Sequence, residues 1–382
     1  MRVLALEPYH GGSHRAFLDG WAAASRHAWT VLGLPANKWK WRMRHGAVSL
    51  ADAAAERLAD GAGWDLVFAT DMLALAEFRG LAPEAVRTLP AVFYFHENQL
   101  TYPDRRRDPR DLHFGFTNLT AALAADAVWF NSAFHRDGFL DAARQLLKRM
   151  PSRAPKDLAD RIAAKASVQP PGVPPIAPAT ARTPGPLRIL WAARWEHDKR
   201  PETFFAAVDR LADAGVDFRL NVVGETFADA PPVFEAARTR HADRIDRWGW
   251  QETRADYEAV LRAADVAVST AAHEFFGLGM VEAAAAGALP VLPRRLAYPE
   301  VFADPAGRPV DAFFYDGTVE GLAASLAGCA ERLAEAGSVW PAGLEGAGRR
   351  VAARYAWPAR APALDDGLER PKAPSPSGRG QG

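Results

Sequence analysis

The chain has 382 residues, of which 49% are hydrophobic and 24% are charged, and its 46 basic side chains balance its 46 acidic ones. This composition excludes disordered and fibrous proteins, and the length predicts two globular domains. The single cysteine, Cys329, excludes an intramolecular disulfide framework and favours a reducing compartment. No stretch approaches the roughly 18 apolar residues that span a bilayer, and no signal-peptide pattern is present. We therefore expect a cytoplasmic protein without a membrane segment.

Strand-like apolar runs alternate with helix-like segments in the first half, which predicts an α/β domain with a parallel sheet over residues 1–170. The predicted strands are Arg2–Leu6, Asp65–Ala69, Ala91–Phe95 and Ala127–Asn131. Helical periodicity is present over Asp52–Leu58 and Asn118–Ala125.

Proline-rich sequence interrupts this alternation at 171–186, and we interpret it as an interdomain linker. A second α/β pattern predicts a domain over 187–350. Its predicted strands are Leu187–Ala192, Phe218–Val223 and Val266–Thr270, and its predicted helices are Glu202–Ala214 and Tyr257–Ala264. Residues 351–368 form a C-terminal segment that could return to the first domain, and 369–382 are expected to be a disordered tail.

The net charge differs between the two halves. Residues 1–170 carry 22 Lys and Arg against 18 Asp and Glu, whereas the remainder carries 24 against 28. A positive first half is consistent with an anionic partner there, although ordinary scatter explains the difference equally well.

The strongest motif follows the last predicted strand. Doubly wound domains that face a central cleft bind ligands beyond the carboxyl ends of their strands. Glu274 and Glu282 have seven residues between them, and an alanine-rich helix is predicted to begin near Gly279, after Gly277, and to end at Gly287. A glycine turn that opens a helix is a good phosphate site. We expect Glu274 to bind sugar hydroxyls and Glu282 to bind ribose hydroxyls, the alternative being two solvated glutamates.

A second motif, Trp191 to Pro201, also directly follows a predicted strand. Arg194 and Lys199 in this segment are expected to clamp a diphosphate and to stabilise the charge that develops on a leaving nucleotide. The alternative is a loop with a surface ion pair.

Two weaker motifs follow strands of the first half. The glycine-containing motif after the first strand includes Gly11, Gly12 and Ser13, where paired glycines allow a tight turn beside a phosphate or an acceptor. The polar motif after Phe95 includes His96, Asn98 and Gln99, which would suit the lining of a sugar pocket. A lone histidine is structural at least as often as it is functional.

Basic residues alternate with tryptophans early in the chain, at Lys38, Trp39, Lys40, Trp41, Arg42 and Arg44. This pattern favours phosphate contacts combined with base stacking. Further basic residues of the same half are Arg105, Arg106, Arg107, Arg110, Lys148 and Arg149. A solvated basic loop with buried tryptophans is the alternative.

Several motifs are absent from the sequence. It has no Asp-x-Asp, so a manganese-dependent transferase is disfavoured, and no Cys/His cluster with zinc-ligand spacing. It also lacks the Gly-x-Gly-x-x-Gly dinucleotide fingerprint and the Gly-x-Ser-x-Gly nucleophile elbow. We therefore expect no metal.

Taken together, the motifs resemble a known family. The spacing of Glu274 and Glu282, with Arg194 and Lys199 upstream, resembles the retaining GT-B glycosyltransferases of family 4. A narrower resemblance is to the tRNA-queuosine alpha-mannosyltransferase family. It is carried, in order, by Glu7-Pro-Tyr-His-Gly-Gly-Ser-His, Leu34-Pro-Ala-Asn-Lys-Trp-Lys-Trp-Arg, Phe95-His-Glu-Asn-Gln-Leu, Arg194-Trp-Glu-His-Asp-Lys, Gly224-Glu-Thr-Phe and His273-Glu-Phe-Phe-Gly.

The resemblance implies a GT-B fold of two Rossmann-like domains and transfer of mannose from GDP-mannose to queuosine in the anticodon of tRNA-Asp. It implies retention by front-face substitution, with no cofactor. The residues implied at the donor are Gly11, Gly12, Ser13, Arg194, Lys199, Gly277, Gly279 and Glu282, with His96 and Glu274 on the transferred sugar. The residues facing the tRNA would be Lys38, Trp39, Lys40, Trp41, Arg42, Arg44, Asn98 and Gln99.

Two other functions are compatible with the residues. One is a GT-B transferase for a different acceptor, such as an envelope glycan or a small metabolite. The other is a non-catalytic binding protein on the same scaffold. Residue chemistry leaves the donor sugar, the nucleobase and the oligomeric state open.

Overall fold

A computed structural model describes residues 1–102, 112–150, 155–179, 181–227 and 230–370. The basic residues Arg105, Arg106, Arg107 and Arg110, and residues 371–382 of the predicted tail, lie outside this part of the chain. The chain divides into two compact units. Unit 1 consists of Met1–Gly172 and the stretch from Trp357 onwards, and unit 2 is Val173–Ala356.

Unit 1 is built on a parallel sheet. Its strands are β1 (Arg2–His10), β2 (Ala28–Pro35), β3 (Leu66–Thr70), β4 (Ala91–Phe95), β5 (Ala127–Phe130) and β6 (Ala166–Val168). Its helices before unit 2 are α1 (Gly12–Ala24), α2 (Trp39–Ala59), α3 (Leu75–Leu81), α4 (Glu84–Arg87), α5 (Leu112–Ala124), α6 (Ala133–Arg149) and α7 (Leu158–Ala163). The strand order is β2-β1-β3-β4-β5-β6. Every residue of β3 and β4 is buried, because helices cover both faces of the sheet.

Unit 2 repeats this architecture around its own apolar core. Its strands are β7 (Leu187–Ala192), β8 (Phe218–Val223), β9 (Ile245–Gly249), β10 (Val266–Val268), β11 (Leu289–Pro293) and β12 (Phe314–Tyr315). Its helices are α8 (Pro201–Asp213), α9 (Val233–Arg240), α10 (Arg254–Ala263), α11 (Leu278–Ala286), α12 (Tyr298–Val301), α13 (Val319–Ala336) and α14 (Ala347–Ala353). The order is β12-β11-β10-β7-β8-β9, and all described pairings are parallel.

The last helix, α15 (Trp357–Leu368), packs against α1 within unit 1. Asp365 of α15 is buried and accepts hydrogen bonds from Trp21 Nε1 at 2.9 Å and from Ser25 Oγ at 2.7 Å. Beyond the helix, Arg26 Nε donates to Glu369 at 3.0 Å. Glu369, the first residue of the predicted tail, is therefore bonded to unit 1.

The predicted α/β class with two parallel sheets is confirmed, and β4, β7 and β8 have the predicted bounds. The strands that the sequence did not reveal are mostly sheet edges: β2, β6, β9 and β12. Edge strands are half exposed, so they lack the continuous apolar run of a central parallel strand. The central strand β11 was missed because it contains Pro290 and Pro293, which argue against a strand.

The predicted linker at 171–186 is not a separate connection. Val173 and Ile176 are buried in the core of unit 2, and Val173 N donates to Tyr355 O at 2.7 Å. Proline content excluded regular structure in this segment, but it did not exclude burial.

In the described residues, we find no helix with both the length and the apolar character required to cross a membrane.

Candidate active site

The sheet of unit 2 brings the two strongest sequence motifs together. The strands β7 and β10 are parallel neighbours, so the segments that follow them lie at the same edge. Thr270 Oγ1 donates to the carbonyl of Lys199 at 2.7 Å, and Ala272 N donates to the carbonyl of Asp198 at 2.7 Å. The predicted donor-binding segments are therefore bonded to one another directly.

Lys199 is a buried cation held between two carboxylates. Its side chain is 12% exposed, and Nζ lies 3.4 Å from Glu274 Oε2 and 3.1 Å from Asp198 Oδ2. Nζ also donates to the carbonyl of His273 at 3.0 Å. Burial alone lowers the pKa of Lys199, but Glu274 and Asp198 raise it above its usual range. Lys199 therefore keeps its positive charge at neutral pH.

The carboxyl group of Glu274 stays ionised in spite of its burial. Burial raises its pKa, but the charge of Lys199 more than offsets this effect, so that the pKa lies below its usual value. The neighbouring His273 is neutral, because burial and then the charge of Lys199 lower its pKa to about 4. The side chain of Glu274 is 27% exposed and can accept hydrogen bonds from a ligand.

A glycine turn opens α11 at the same edge, as the sequence predicted. Gly277 has φ of +96°, and a Cβ atom there would lie 2.7 Å from the ring of Tyr298. A Cβ atom at Gly279 would lie 3.3 Å from the carbonyl oxygen of Ala192. Because the first amides of a helix have no partner within it, this turn suits an anion. Lys199, Glu274 and both glycines line one pocket.

The second carboxylate of the motif, Glu282, lies inside α11 and is held by two partners that the sequence analysis missed. Arg254 donates to Glu282 Oε1 at 2.8 Å, and the hydroxyl of Tyr257 donates to Oε2 at 3.3 Å. Burial raises the pKa of Glu282, against the opposing effect of Arg254. Both partners lie on α10, whose amphipathic pattern carried no functional signal.

Arg194 lies in the predicted segment but is more exposed than Lys199. Its side chain is 43% exposed, and its guanidinium lies 3.2 Å from Glu196 Oε2. Both predicted cations therefore follow β7. Lys199 is buried and lines the described pocket, whereas Arg194 is more exposed and does not line it.

In unit 1, the glycine-containing motif forms the start of α1. Gly11 precedes the helix, and a Cβ atom there would lie 2.3 Å from Cβ of Ala36. Gly12 has φ of +51° and Ser13 is exposed in the first turn. The predicted tight turn is present, and in the structure it lies at the N-terminus of α1. Its predicted contact with phosphate stays a prediction.

Three side chains from β1, α1 and the end of β4 lie together, and we call them the Glu7 cluster: Glu7 and His14, which are buried, and His96, which is half buried. Glu7 Oε2 lies 3.2 Å from His14 Nδ1, and the rings of His14 and His96 are 4.1 Å apart. One carboxylate oxygen of Glu7 and one ring nitrogen of each histidine lie within 4.8 Å of one another. Sequence analysis assigned a role only to His96. An acidic residue inside the buried β1 was the signal for Glu7.

Asn98 and Gln99 follow β4 but are used differently from the prediction. Asn98 is fully buried, and its side chain bonds to Leu100 N at 3.0 Å and to Thr101 N at 2.9 Å. The Asn98 side chain is thus bonded within its own turn, and its predicted contact with an acceptor stays a prediction. Gln99 is half buried and donates to Glu97 at 3.2 Å.

The alternating basic and tryptophan residues form the beginning of α2, not a loop. Trp39 is half buried and packs on Phe114 at 5.1 Å, whereas Trp41 is 61% exposed. Lys38 precedes the helix with φ of 49°. Arg42 turns back onto the chain and donates to the carbonyl of Pro35 at 2.9 Å.

The remaining basic residues of this segment lie beside aromatic rings. The ammonium of Lys40 is 5.5 Å from the Trp39 ring, and the guanidinium of Arg44 is 5.2 Å from the Phe114 ring. On α5, which contacts this segment through Phe114, Leu112 and Phe116 are exposed apolar side chains. We call Lys40, Trp41, Arg44, Leu112 and Phe116 the α2–α5 surface.

Comparison with known proteins assigns each unit to a described domain type. Residues 2–173 match the model of the tRNA-queuosine alpha-mannosyltransferase N-terminal domain, and residues 186–332 match glycosyl transferases group 1. A tRNA-queuosine alpha-mannosyltransferase of Drosophila melanogaster is 34% identical over 312 residues, covering 78% of this chain and 81% of that protein.

A second relative covers a shorter region. A GDP-mannose-dependent alpha-(1-6)-phosphatidylinositol dimannoside mannosyltransferase of Mycobacterium tuberculosis is 31% identical over 129 residues, which is 34% of this chain and 33% of that protein.

Solved structures share the fold at low sequence identity. Anabaena HepE in complex with UDP aligns with a TM-score of 0.67 at 16% identity, covering 97% of this chain and 100% of that one. Sucrose-phosphate synthase from Thermosynechococcus elongatus aligns with a TM-score of 0.68 at 16% identity, covering 97% and 99%. These likenesses establish the GT-B architecture. With the match of the first 173 residues and the identity to the fly enzyme, this chain belongs to the tRNA-queuosine alpha-mannosyltransferase family and is a glycosyltransferase.

Proposed function

We propose that the protein transfers mannose from GDP-mannose to the cyclopentene-diol of queuosine in the anticodon of tRNA-Asp, in the cytoplasm. The observation that carries this proposal is the buried Lys199 ammonium beside the glycine turn of α11, in a chain whose unit 1 matches the queuosine-specific N-terminal domain. The name of the mycobacterial relative supports GDP-mannose as the donor.

In this proposal, unit 2 binds the donor. Lys199 and the first amides of α11 bind the diphosphate, with Arg194 adding a second cation. Glu282 accepts hydrogen bonds from the ribose hydroxyls. Glu274 accepts them from the transferred mannose. In unit 1, His96 is the residue that the family resemblance assigns to a sugar hydroxyl.

The transfer step retains the configuration of mannose. The bond between the anomeric carbon and the β-phosphate oxygen breaks, and a bond from that carbon to the queuosine hydroxyl oxygen forms on the same face. The hydroxyl proton moves to the departing phosphate oxygen, so that no separate protein base is needed. Lys199 stabilises the negative charge that grows on this oxygen, and the charge needs no metal ion.

The proposal is tested with purified protein, GDP-mannose and two otherwise identical tRNA-Asp samples, one with queuosine and one with guanosine at the modified position. We expect nucleoside mass spectrometry to show one added hexose on queuosine alone. Activity should survive a chelator, and NMR of the product should show an α-linkage. Absence of a hexose on any queuosine tRNA, with transfer to another acceptor, would support the alternative transferase function.

The α2–α5 surface is the proposed contact with tRNA, since exposed aromatic and basic side chains bind single-stranded bases and phosphates. Trp41→Ala is expected to raise KM for tRNA by about tenfold, because stacking of one base contributes roughly 1–3 kcal/mol. KM for GDP-mannose should not change. Leu81→Ala removes another side chain of unit 1 that is 56% exposed and should leave both constants unaltered. Equal KM values for tRNA in Trp41→Ala and wild type would exclude this surface.

A further inference from the structure

The Glu7 cluster contains an acidic side chain that requires a cation. Glu7 is fully buried, its Oε1 accepts a hydrogen bond from Tyr9 N at 2.9 Å, and its Oε2 faces His14 Nδ1. A buried carboxylate is costly unless it is both hydrogen-bonded and paired with a positive charge. Burial alone lowers the pKa of His14, but Glu7 raises it to about 9. The contact between Glu7 and His14 is therefore an ion pair at neutral pH.

His96 is in contact with this ion pair but does not share its charge. Its ring lies 4.1 Å from that of His14, and two charged imidazoles at this separation repel each other strongly. Burial, followed by the charge of His14, holds the pKa of His96 well below its usual value. An imidazolium also needs two acceptors, whereas Nε2 of His96 is buried and has no hydrogen-bond partner among the described residues. Each observation favours a neutral His96.

The backbone of His96 is also fixed. Its N–H donates to Asp71 Oδ1 at 3.0 Å, and its carbonyl accepts from Asn131 Nδ2 at 2.9 Å. The ring packs edge-on against Phe17 at 5.0 Å. His96 is half buried, and these contacts define the direction of its ring.

We propose that Glu7 and His14 are positioning residues for His96: their ion pair keeps His96 neutral and its ring oriented, so that its exposed edge can form a hydrogen bond with a hydroxyl group of the bound sugar. This inference rests on the proposed function and deepens it, because it names the residues that set the state of a sugar contact. Other titratable groups near the pair come from each neighbouring element: Tyr9 on β1, Asp71 after β3, Tyr94 on β4, Glu97 after β4 and His135 on α6.

Histidine NMR tests the inference without any assay of activity. In protein with labelled imidazole carbons, titrated between about pH 5 and pH 10, we expect one resonance with a pKa near 9 that is absent in His14→Gln, and one that stays neutral throughout and is absent in His96→Gln. In Glu7→Gln the resonance of His14 should shift to a pKa below neutrality. In His14→Gln the pKa of His96 should rise, because a like charge has been removed.

His241→Gln is the matched control. This substitution removes another buried histidine bonded to a carboxylate, at 2.8 Å from Asp209 in unit 2, and should leave the titration of His14 and His96 unchanged. A wild-type His14 that titrates in the ordinary histidine range would overturn the inference, and this result does not depend on any variant folding. A tightly bound divalent metal ion at one equivalent, lost in Glu7→Gln, would also overturn it, because a metal-ligating imidazole is neutral and cannot form an ion pair with Glu7.

Kinetics then separate positioning from folding. We expect His14→Gln and Glu7→Gln to lower kcat by about 10- to 100-fold with KM for GDP-mannose altered less than about threefold. The alkaline limb of the wild-type kcat profile should fall near pH 9 and move to lower pH in Glu7→Gln. A wild-type kcat for both variants would refute the positioning role. Failure of mannosyl transfer in the wild type, with the NMR titration as expected, would instead refute the proposed function alone.

Discussion

Lys199→Ala is expected to lower kcat/KM for mannosyl transfer by about 10³-fold, the largest loss of any single substitution considered, because it removes a preorganised charge from the site where negative charge develops. The ammonium is 12% exposed and is held by Glu274, Asp198 and the carbonyl of His273. It cannot be replaced by water or by a mobile side chain without losing this fixed geometry. The rate should be measured with saturating tRNA over a range of GDP-mannose concentrations.

The loss of Lys199 also leaves two carboxylates without their cation, so the thermal transition of the variant must be measured together with its rate. Arg210→Ala is the control, since it removes an exposed cation of the same unit that pairs with Glu320. It should retain wild-type kinetics. A Lys199→Ala protein that melts cooperatively and turns over at the wild-type rate would contradict the role of Lys199 in binding the diphosphate.

The second large effect concerns donor affinity. Glu282→Ala should raise the Kd of GDP by about 100-fold, because hydrogen bonds to a charged acceptor contribute roughly 1.5–3 kcal/mol. The carboxylate is 13% exposed and is held by Arg254 and Tyr257, so its remaining acceptor positions are ordered before the ligand arrives. Calorimetry with GDP measures the change.

A ligand analogue makes this prediction specific to the ribose. The wild type should bind GDP more tightly than 2′-deoxy-GDP, and Glu282→Ala should bind the two nucleotides equally. Glu320→Ala removes an exposed carboxylate and should preserve the preference. A Glu282→Ala protein that still discriminates between the two nucleotides would show that another residue binds the ribose.

The partners of Glu282 illustrate where sequence reasoning stopped. The spacing of Glu274 and Glu282 around a glycine turn was visible in the sequence, and the structure places the turn as expected. Arg254 and Tyr257 lie 25 residues or more upstream on a different helix, and only the packing of α10 against α11 brings them to Glu282. No pattern of local residues encodes such a contact.

The N-terminal motifs also show the difference between what the sequence predicts and what the tertiary structure decides. Polar residue type suggested that Asn98 would bind an acceptor, but in the structure the side chain is buried in its own turn. Conversely, Glu7 and His14 belong to a motif that the sequence analysis recognised, but the sequence analysis assigned no role to either residue. Their pairing requires α1 to pack against β1, because only this packing brings His14 to Glu7 and buries the carboxylate.

The sequence by itself determined the alternation of buried strands and amphipathic helices, the glycine turn before α11 and the residue types available at the strand ends. These features are local, because they follow from hydrophobic periodicity and from backbone conformations that only glycine adopts readily. Tertiary structure alone decided which of these residues are charged, which are buried and which are joined. The states of Lys199, His14 and His96 depend on burial and on charges from distant segments, and both arise only when the chain has folded.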